Sequence, residues 1–169
     1  VRLVGSEMCI RDRIDQTGQR SMVSGHGADF SLLPADLPRK MLSNVRHLHL
    51  TAWSLFTDPP RLACTEAALT AHEAGATLSL DPASFQMIAE MGVDPFLDLI
   101  TDLNIDVLLP NKDEGAILTG FTEPAAIANR LSELFPGTLI ILKLDADGAL
   151  IVQDGQSYSI PTATSSPLD

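Results

Sequence analysis

The spacing of apolar and polar positions changes period several times along the chain. Arg46 to Ala52 (RHLHLTA) alternates residue by residue, which is the period of a strand. Pro59 and Pro60 then open a stretch to about Ala74 that predicts a helix. Proline is tolerated in a first turn, and Gly75 supplies a stop at the other end. Thr77 to Leu80 is a short apolar strand running into Asp81-Pro82. Ser84 to Met91 and Asp94 to Asp102 read as two helical pieces broken at Gly92. Asp106 to Leu109 predicts a strand ending at Pro110, and Asn111 to about Leu118 a helix stopped by Gly120. The next helix starts at Thr122 and stops at Pro136-Gly137, with Ile127, Leu131 and Leu134 on one face. Leu139 to Leu144 carries the strongest strand signal. Asp147-Gly148 and Asp154-Gly155 predict hairpin turns, with strands at Ala149 to Val152 and Ser157 to Ile160. Nearer the start, Arg20 to Ser24 predicts a short strand and Gly25-His26-Gly27 a turn. Pro34 to Leu42 reads as one or two helical turns.

Strands that alternate with helices in this way imply an α/β fold around a mostly parallel sheet, covered on both faces. The late hairpins add a few antiparallel strands at one end. Ligand sites in such sheets lie at the carboxyl ends of the strands. Four polar clusters fall there, each directly after an apolar strand: Thr51 to Ser54, Asp81 to Ser84, Asn111 to Glu114, and Asp145 to Gly148.

Composition narrows the ligands. Apolar residues make up 45% of the 169 and aromatics only 5%, so Leu, Ile, Ala and Val must fill one core. The formal charge of −11 opposes binding to nucleic acid or to anionic membranes. A phosphate-bearing ligand must then be held locally, by backbone N–H groups, a helix N-terminus or a metal ion. No apolar run approaches the roughly 20 residues of a membrane span. Two cysteines, Cys9 and Cys64, make no disulfide framework, and a reduced, cytoplasmic protein is expected. Val1 to Arg13 (VRLVGSEMCIRDR) shows no clear period. It resembles the peptide obtained when sequencing-adaptor DNA is translated into a reading frame, and it is set aside as non-native. Residues 14–169 then form the domain, with a charge of −12 once three Arg and two acidic residues are removed.

The sharpest constellation is Leu108-Leu109-Pro110-Asn111-Lys112-Asp113-Glu114, closing on Leu118-Thr119-Gly120. An amide and a carboxylate at a strand end beside a helix start can organise hydrated Mg²⁺ and the phosphates it bridges. The same spacing is also a capping box, with Asn111 as N-cap and Glu114 three positions into the helix. The two readings are compatible. Lys143-Leu144-Asp145-Ala146-Asp147-Gly148-Ala149 either sets Lys143 and Gly148 near nucleotide phosphates or is an ordinary Asp-Gly hairpin with a solvated lysine. Asp81-Pro82-Ala83-Ser84 either lines a cleft or caps the next helix. His47 and His49 share a strand face, but no third metal ligand stands near them, so they read as polar surface. No G-x-S-x-G elbow, G-x-G-x-x-G fingerprint or Walker A sequence is present.

Taken in order, these pieces resemble the ribokinase-like (PfkB) carbohydrate kinases. The family's P-N-x-x-E-x-x-x-L-T/S-G segment is matched without gaps by Pro110, Asn111, Glu114, Leu118, Thr119 and Gly120. Its later Lys or Thr followed by a G-x-x-G-A turn is matched by Lys143, Gly148 and Ala149, with Asp145 where Gly is usual. Leu80-Asp81-Pro82 is similar to the strand entering its D-P-N or D-P-A-S turn, and Gly27-Ala28-Asp29 resembles its G-A-N segment. The resemblance implies a three-layer α/β/α sandwich and transfer of the ATP γ-phosphoryl to a sugar hydroxyl. It implies that Asn111, Lys143 and Gly148 hold the nucleotide phosphates and that Glu114 positions Mg²⁺. Arg20, Asp29 and Asp81 fall on the substrate side. ATP and Mg²⁺ are the implied cofactors and a small sugar the partner, and a homodimer is compatible with the reading.

In the family a D-T-x-G-A-G-D segment carries the anion hole and the general base. Asp169 would be its first residue, so the chain is expected to be an inactive piece lacking the base and the family's first strands. Such a piece should expose a sheet edge and an apolar face. Two other readings stand beside this one. One is a non-catalytic nucleotide-binding or regulatory α/β domain. The other is a plain scaffold in which the Asn111-to-Glu114 box is only a cap.

Overall fold

The computed structural model describes residues 10–14, 20–24 and 27–163, with side chains from residue 27 onward. Strands β1 (Ile10–Ile14) and β2 (Arg20–Ser24) form a separate antiparallel pair, in register from Ile10 opposite Ser24 to Ile14 opposite Arg20. β1 therefore takes in Ile10 to Arg13, a stretch in which no strand period was evident. Its backbone ladder, which the side-chain pattern does not report, makes it a strand. The rest of the set-aside segment, Cys9 and the Gly25-His26 part of the expected turn lie outside the described residues.

The main sheet has six strands in sequential order: β3 (His47–Thr51), β4 (Thr77–Asp81), β5 (Val107–Leu108), β6 (Leu139–Lys143), β7 (Ala149–Gln153) and β8 (Gln156–Ile160). β3 to β6 are parallel, and β6, β7 and β8 pair antiparallel. This is the expected mostly parallel sheet with antiparallel strands at its C-terminal end. β5 is shorter than its apolar run because Pro110 has no N–H to give a ladder. Asp106 and Leu109 still donate to Leu78 and Leu80 on either side of it.

Helices occupy the crossovers. After α1 (Arg39–Leu42), α2 (Pro60–Glu73) joins β3 to β4. It ends with Gly75 N–H bonded to the His72 carbonyl and Ala76 N–H to that of Ala71, which satisfies the last carbonyls. α3 (Phe85–Met91) and α4 (Val93–Leu103) divide at Gly92 as expected. α5 (Lys112–Thr119) and α6 (Pro124–Leu134) join β5 to β6. α6 begins two residues later than its pattern suggested, because Pro124 fits the first helical position.

Successive parallel strands step the same way across the sheet, so right-handed crossovers bring α2 to α6 to a single face. Leu50, Leu78, Leu80, Leu108, Ile140 and Leu142 are buried there among Ala68, Ala71, Ile88, Phe96, Ile100, Ile127 and Leu131. Burying each of these Leu or Ile side chains stabilises the fold by about 1.5–3 kcal/mol. Phe56 and Phe96 stack with centroids 5.6 Å apart, and Cys64 is buried as a small apolar residue. The opposite face carries His47, His49, Thr51 and Thr77, all exposed, and Val107, Leu139 and Ile141, half-buried. Of the three layers expected, the described residues thus supply the sheet and one helical layer. The other face is open and partly apolar. Among the described residues no helix is long and apolar enough to cross a membrane.

Candidate functional site

Three strands deliver polar side chains to one edge of the sheet. β4 ends on Asp81, whose Oδ1 accepts from the Ala83 N–H at 3.0 Å. That turn leads into α3, where Ser84 Oγ accepts from the Met87 N–H as N-cap. β5 runs through Pro110 to Asn111, the N-cap of α5. Asn111 Oδ1 accepts from the Glu114 N–H at 2.8 Å, and Glu114 Oε2 accepts from the Asn111 N–H at 2.8 Å. The capping box read from spacing is therefore complete in both directions. β6 ends on Lys143, whose N–H donates to the Pro110 carbonyl at 2.8 Å, while Asn111 and Lys143 pair as a parallel bridge.

The edge also holds a contact that no local pattern signals. Lys143 Nζ lies 2.5 Å from Asp81 Oδ2, across 62 residues of sequence. β5 lies between the two strands concerned, so the ion pair passes over the β5 exit just before the Asn111 turn. Glu114, only 2% exposed, lies close enough to feel both charges. Burial raises its carboxyl above the usual range, the Asn111 N–H works against that, Asp81 raises it further and Lys143 lowers it.

The turn leaving β6 is more elaborate than an ordinary Asp-Gly hairpin. Asp145–Asp147 form a 3₁₀ turn, with Asp145 at φ +50° and Gly148 at φ +90°. A Cβ on Gly148 would lie 2.0 Å from the Ile160 carbonyl oxygen, so the glycine is required by the chain's own packing against the end of β8. The Asp154-Gly155 turn, at φ +50° and +75°, is the two-residue hairpin its sequence predicts.

Asn111, Glu114, Lys143 and Asp81 are thus gathered at one place, with Gly148 in the adjoining turn. Arg20 lies on β2 with its side chain outside the described residues. Asp29 lies in a 3₁₀ turn (Ala28–Ser31), where Oδ1 accepts from the Gly27 N–H at 3.2 Å and Oδ2 is buried without a hydrogen-bond partner. No hydrogen bond joins it to the edge cluster among the described residues. Trp53 Nε1, in the Thr51-to-Ser54 cluster, is likewise buried and unpartnered, and nothing in the sequence marks it. His47 and His49 both contact Ser79 Oγ, at 2.8 and 2.7 Å, and His47 also contacts Thr77 Oγ1.

Among the described residues no three or more His, Cys, Asp or Glu side chains are grouped to hold a metal ion. Glu114 offers a hard carboxylate, but it is almost fully buried and one oxygen already serves the cap. This fits a hydrated Mg²⁺ reached through water and phosphate, and does not fit a closed protein cage.

Ligand sites in parallel α/β sheets lie at the carboxyl ends of the strands, and a capped helix start and a strand-end lysine stand at that edge here. The sequence profile of the pfkB family of carbohydrate kinases matches residues 12–169, and the chain belongs to that family. That match begins inside the segment set aside as non-native. A search of curated proteins finds no match. Among solved structures, adenosine kinase from Sinorhizobium meliloti aligns with a TM-score of 0.82 at 18% identity, over 92% of this chain and 46% of its own. A PfkB protein from Polaromonas sp. JS666 aligns at 27% identity and a TM-score of 0.65, over 84% of this chain and 49% of its own. Fructokinase from Vibrio cholerae O395, in a fructose-, ADP- and calcium-bound form, aligns at 19% identity and a TM-score of 0.75, over 95% of this chain and 53% of its own. The chain spans about half the length of these structures.

Proposed function

We propose that the chain, as a partial domain over residues 14–169, carries the nucleotide-phosphate and metal side of an ATP-dependent carbohydrate kinase. The whole enzyme would transfer the γ-phosphoryl of ATP to a sugar hydroxyl. The observation that carries this reading is the meeting of Lys143 with the Asn111–Glu114 box at one strand edge. Asn111, Lys143 and Gly148 would hold phosphate, and Glu114 would orient a hydrated Mg²⁺ through water. Bound with the nucleotide, Mg²⁺ neutralises phosphate charge. Arg20 and Asp29 would face the sugar, and no residue of the chain is assigned as the base. The fructose and ADP bound to the matched fructokinase are consistent with such ligands. The protein would be cytoplasmic with small-molecule partners, and the acidity of the chain opposes binding to nucleic acid.

Calorimetry with ATP, in the presence and absence of Mg²⁺, tests the reading. Lys143→Met should weaken binding at least about tenfold, the worth of one hydrogen bond to a charged group. Glu114→Gln retains the box, since Gln still accepts from the Asn111 N–H. A fall in Mg²⁺-dependent affinity with this variant supports the metal role. Unchanged affinity would reduce the box to a cap.

A further inference from the structure

The nucleotide reading places Lys143 beside phosphate, yet its ammonium already has a partner. Lys143 Nζ is bound to Asp81 Oδ2, and both ends of the pair are geometrically prepared. Asp81 is oriented by its second oxygen, since Oδ1 is held by the Ala83 N–H and Oδ2 is left for the lysine. The Lys143 backbone is held by Pro110 and Asn111, so only its side chain is free to swing. Neighbouring strands lie about 4.8 Å apart, so the lysine and aspartate reach toward each other over roughly 10 Å of sheet. The side chains are 41% and 30% exposed, which leaves the pair open to a ligand. An ion pair this exposed is weak enough to exchange, whereas a phosphate offers more charge and several acceptors.

We infer that Asp81 is an electrostatic latch on Lys143, holding the ammonium across the β5 exit and releasing it when a polyphosphate competes. Asp81 is then a positioning residue for the nucleotide side of the edge, a different role from the substrate-side one that the resemblance implied. The inference rests on the nucleotide reading above, so its test must separate the two.

Asp81→Asn keeps an acceptor for the Ala83 N–H and removes the charge. Two readouts are needed. The first is the rate at which an amine-reactive reagent labels Lys143, with Lys40 and Lys112 of the same chain as internal references. The second is the affinity for tripolyphosphate without metal, in the wild type, in Asp81→Asn, in Lys143→Met and in the double variant. The latch predicts several-fold faster labelling of Lys143 alone in Asp81→Asn. It also predicts tripolyphosphate binding about fivefold tighter, the scale of an exposed ion pair. That gain should vanish in the Lys143→Met background. A gain that persists there would make Asp81 a source of general repulsion and overturn the latch. Unchanged labelling of Lys143 would also overturn it, and would leave the nucleotide reading standing. Faster labelling with no tripolyphosphate binding by any variant would remove the nucleotide reading, and with it the claim that phosphate releases the lysine.

Discussion

The turn that leaves β5 and the turn that leaves β6 stand side by side, and they are held in opposite ways. The first is closed by side chains, with Asn111 and Glu114 each satisfying the other's backbone N–H. The second is closed by backbone shape, with Asp145 and Gly148 at positive φ and Gly148 pressed against the Ile160 carbonyl. A turn built from side chains can lose one partner and keep its path, because water or another group can replace an oxygen. A turn built from backbone contact has no substitute for the missing Cβ. The phosphate reading uses both turns, so the first should be tunable by mutation and the second should not.

The largest break in that contrast is expected at Gly148. Gly148→Ala places a methyl 2.0 Å from the Ile160 oxygen and 2.9 Å from the Pro161 carbonyl carbon, both backbone atoms that cannot swing away. It should cost about 3 kcal/mol or more, as overpacking at a special backbone position does. Urea denaturation followed by circular dichroism measures this, and a loss under 1 kcal/mol would show that the β8 end yields. Asn111→Ala is the matched change in the first turn. It removes one N-cap oxygen from α5 and should cost about 1 kcal/mol in the same measurement. A larger loss at Asn111 than at Gly148 would reverse the contrast.

The two turns were also unequally legible. The Asn111–Glu114 box is a local pattern, two residue types at a fixed spacing ahead of an amphipathic run, so spacing alone exposes it. The alternation of strands and helices follows from similar signals, since each apolar run of β4, β5 and β6 is followed by a helix or a turn. The sign of φ at Asp145 is invisible in a residue that also takes ordinary conformations, so an Asp-Gly pair suggested a simpler hairpin than the 3₁₀ turn observed. The contact between Gly148 and Ile160 depends on how β7 and β8 fold back, and no spacing carries that. The Asp81–Lys143 pair fails to show for the same reason. It joins strands that are two places apart in the sheet, and only the assembled topology brings them together. No local spacing marks the face of the sheet that the described residues leave uncovered. Which residues occupy it follows from register, with Ser79 opposite Val107 and Val107 opposite Leu139.

The smallest expected effect is the most discriminating one for the second turn. Asp145 stands where the resembling family has glycine, and its φ of +50° shows the backbone conformation that glycine would adopt without strain. Aspartate tolerates this region better than most residues because its short polar side chain can bond locally. Asp145→Gly therefore relieves little strain in the folded state, while it adds freedom to the unfolded chain. The two effects oppose each other, and the net change should stay within about 0.5 kcal/mol. The denaturation assay used for Gly148 serves here as well. A stabilisation well above 1 kcal/mol would mean that Asp145 is held under strain by its neighbours, and the second turn would then share the tunable character of the first. A near-zero result would leave Gly148 as the residue that fixes the turn, with Asp145 free to vary on a path the backbone already sets.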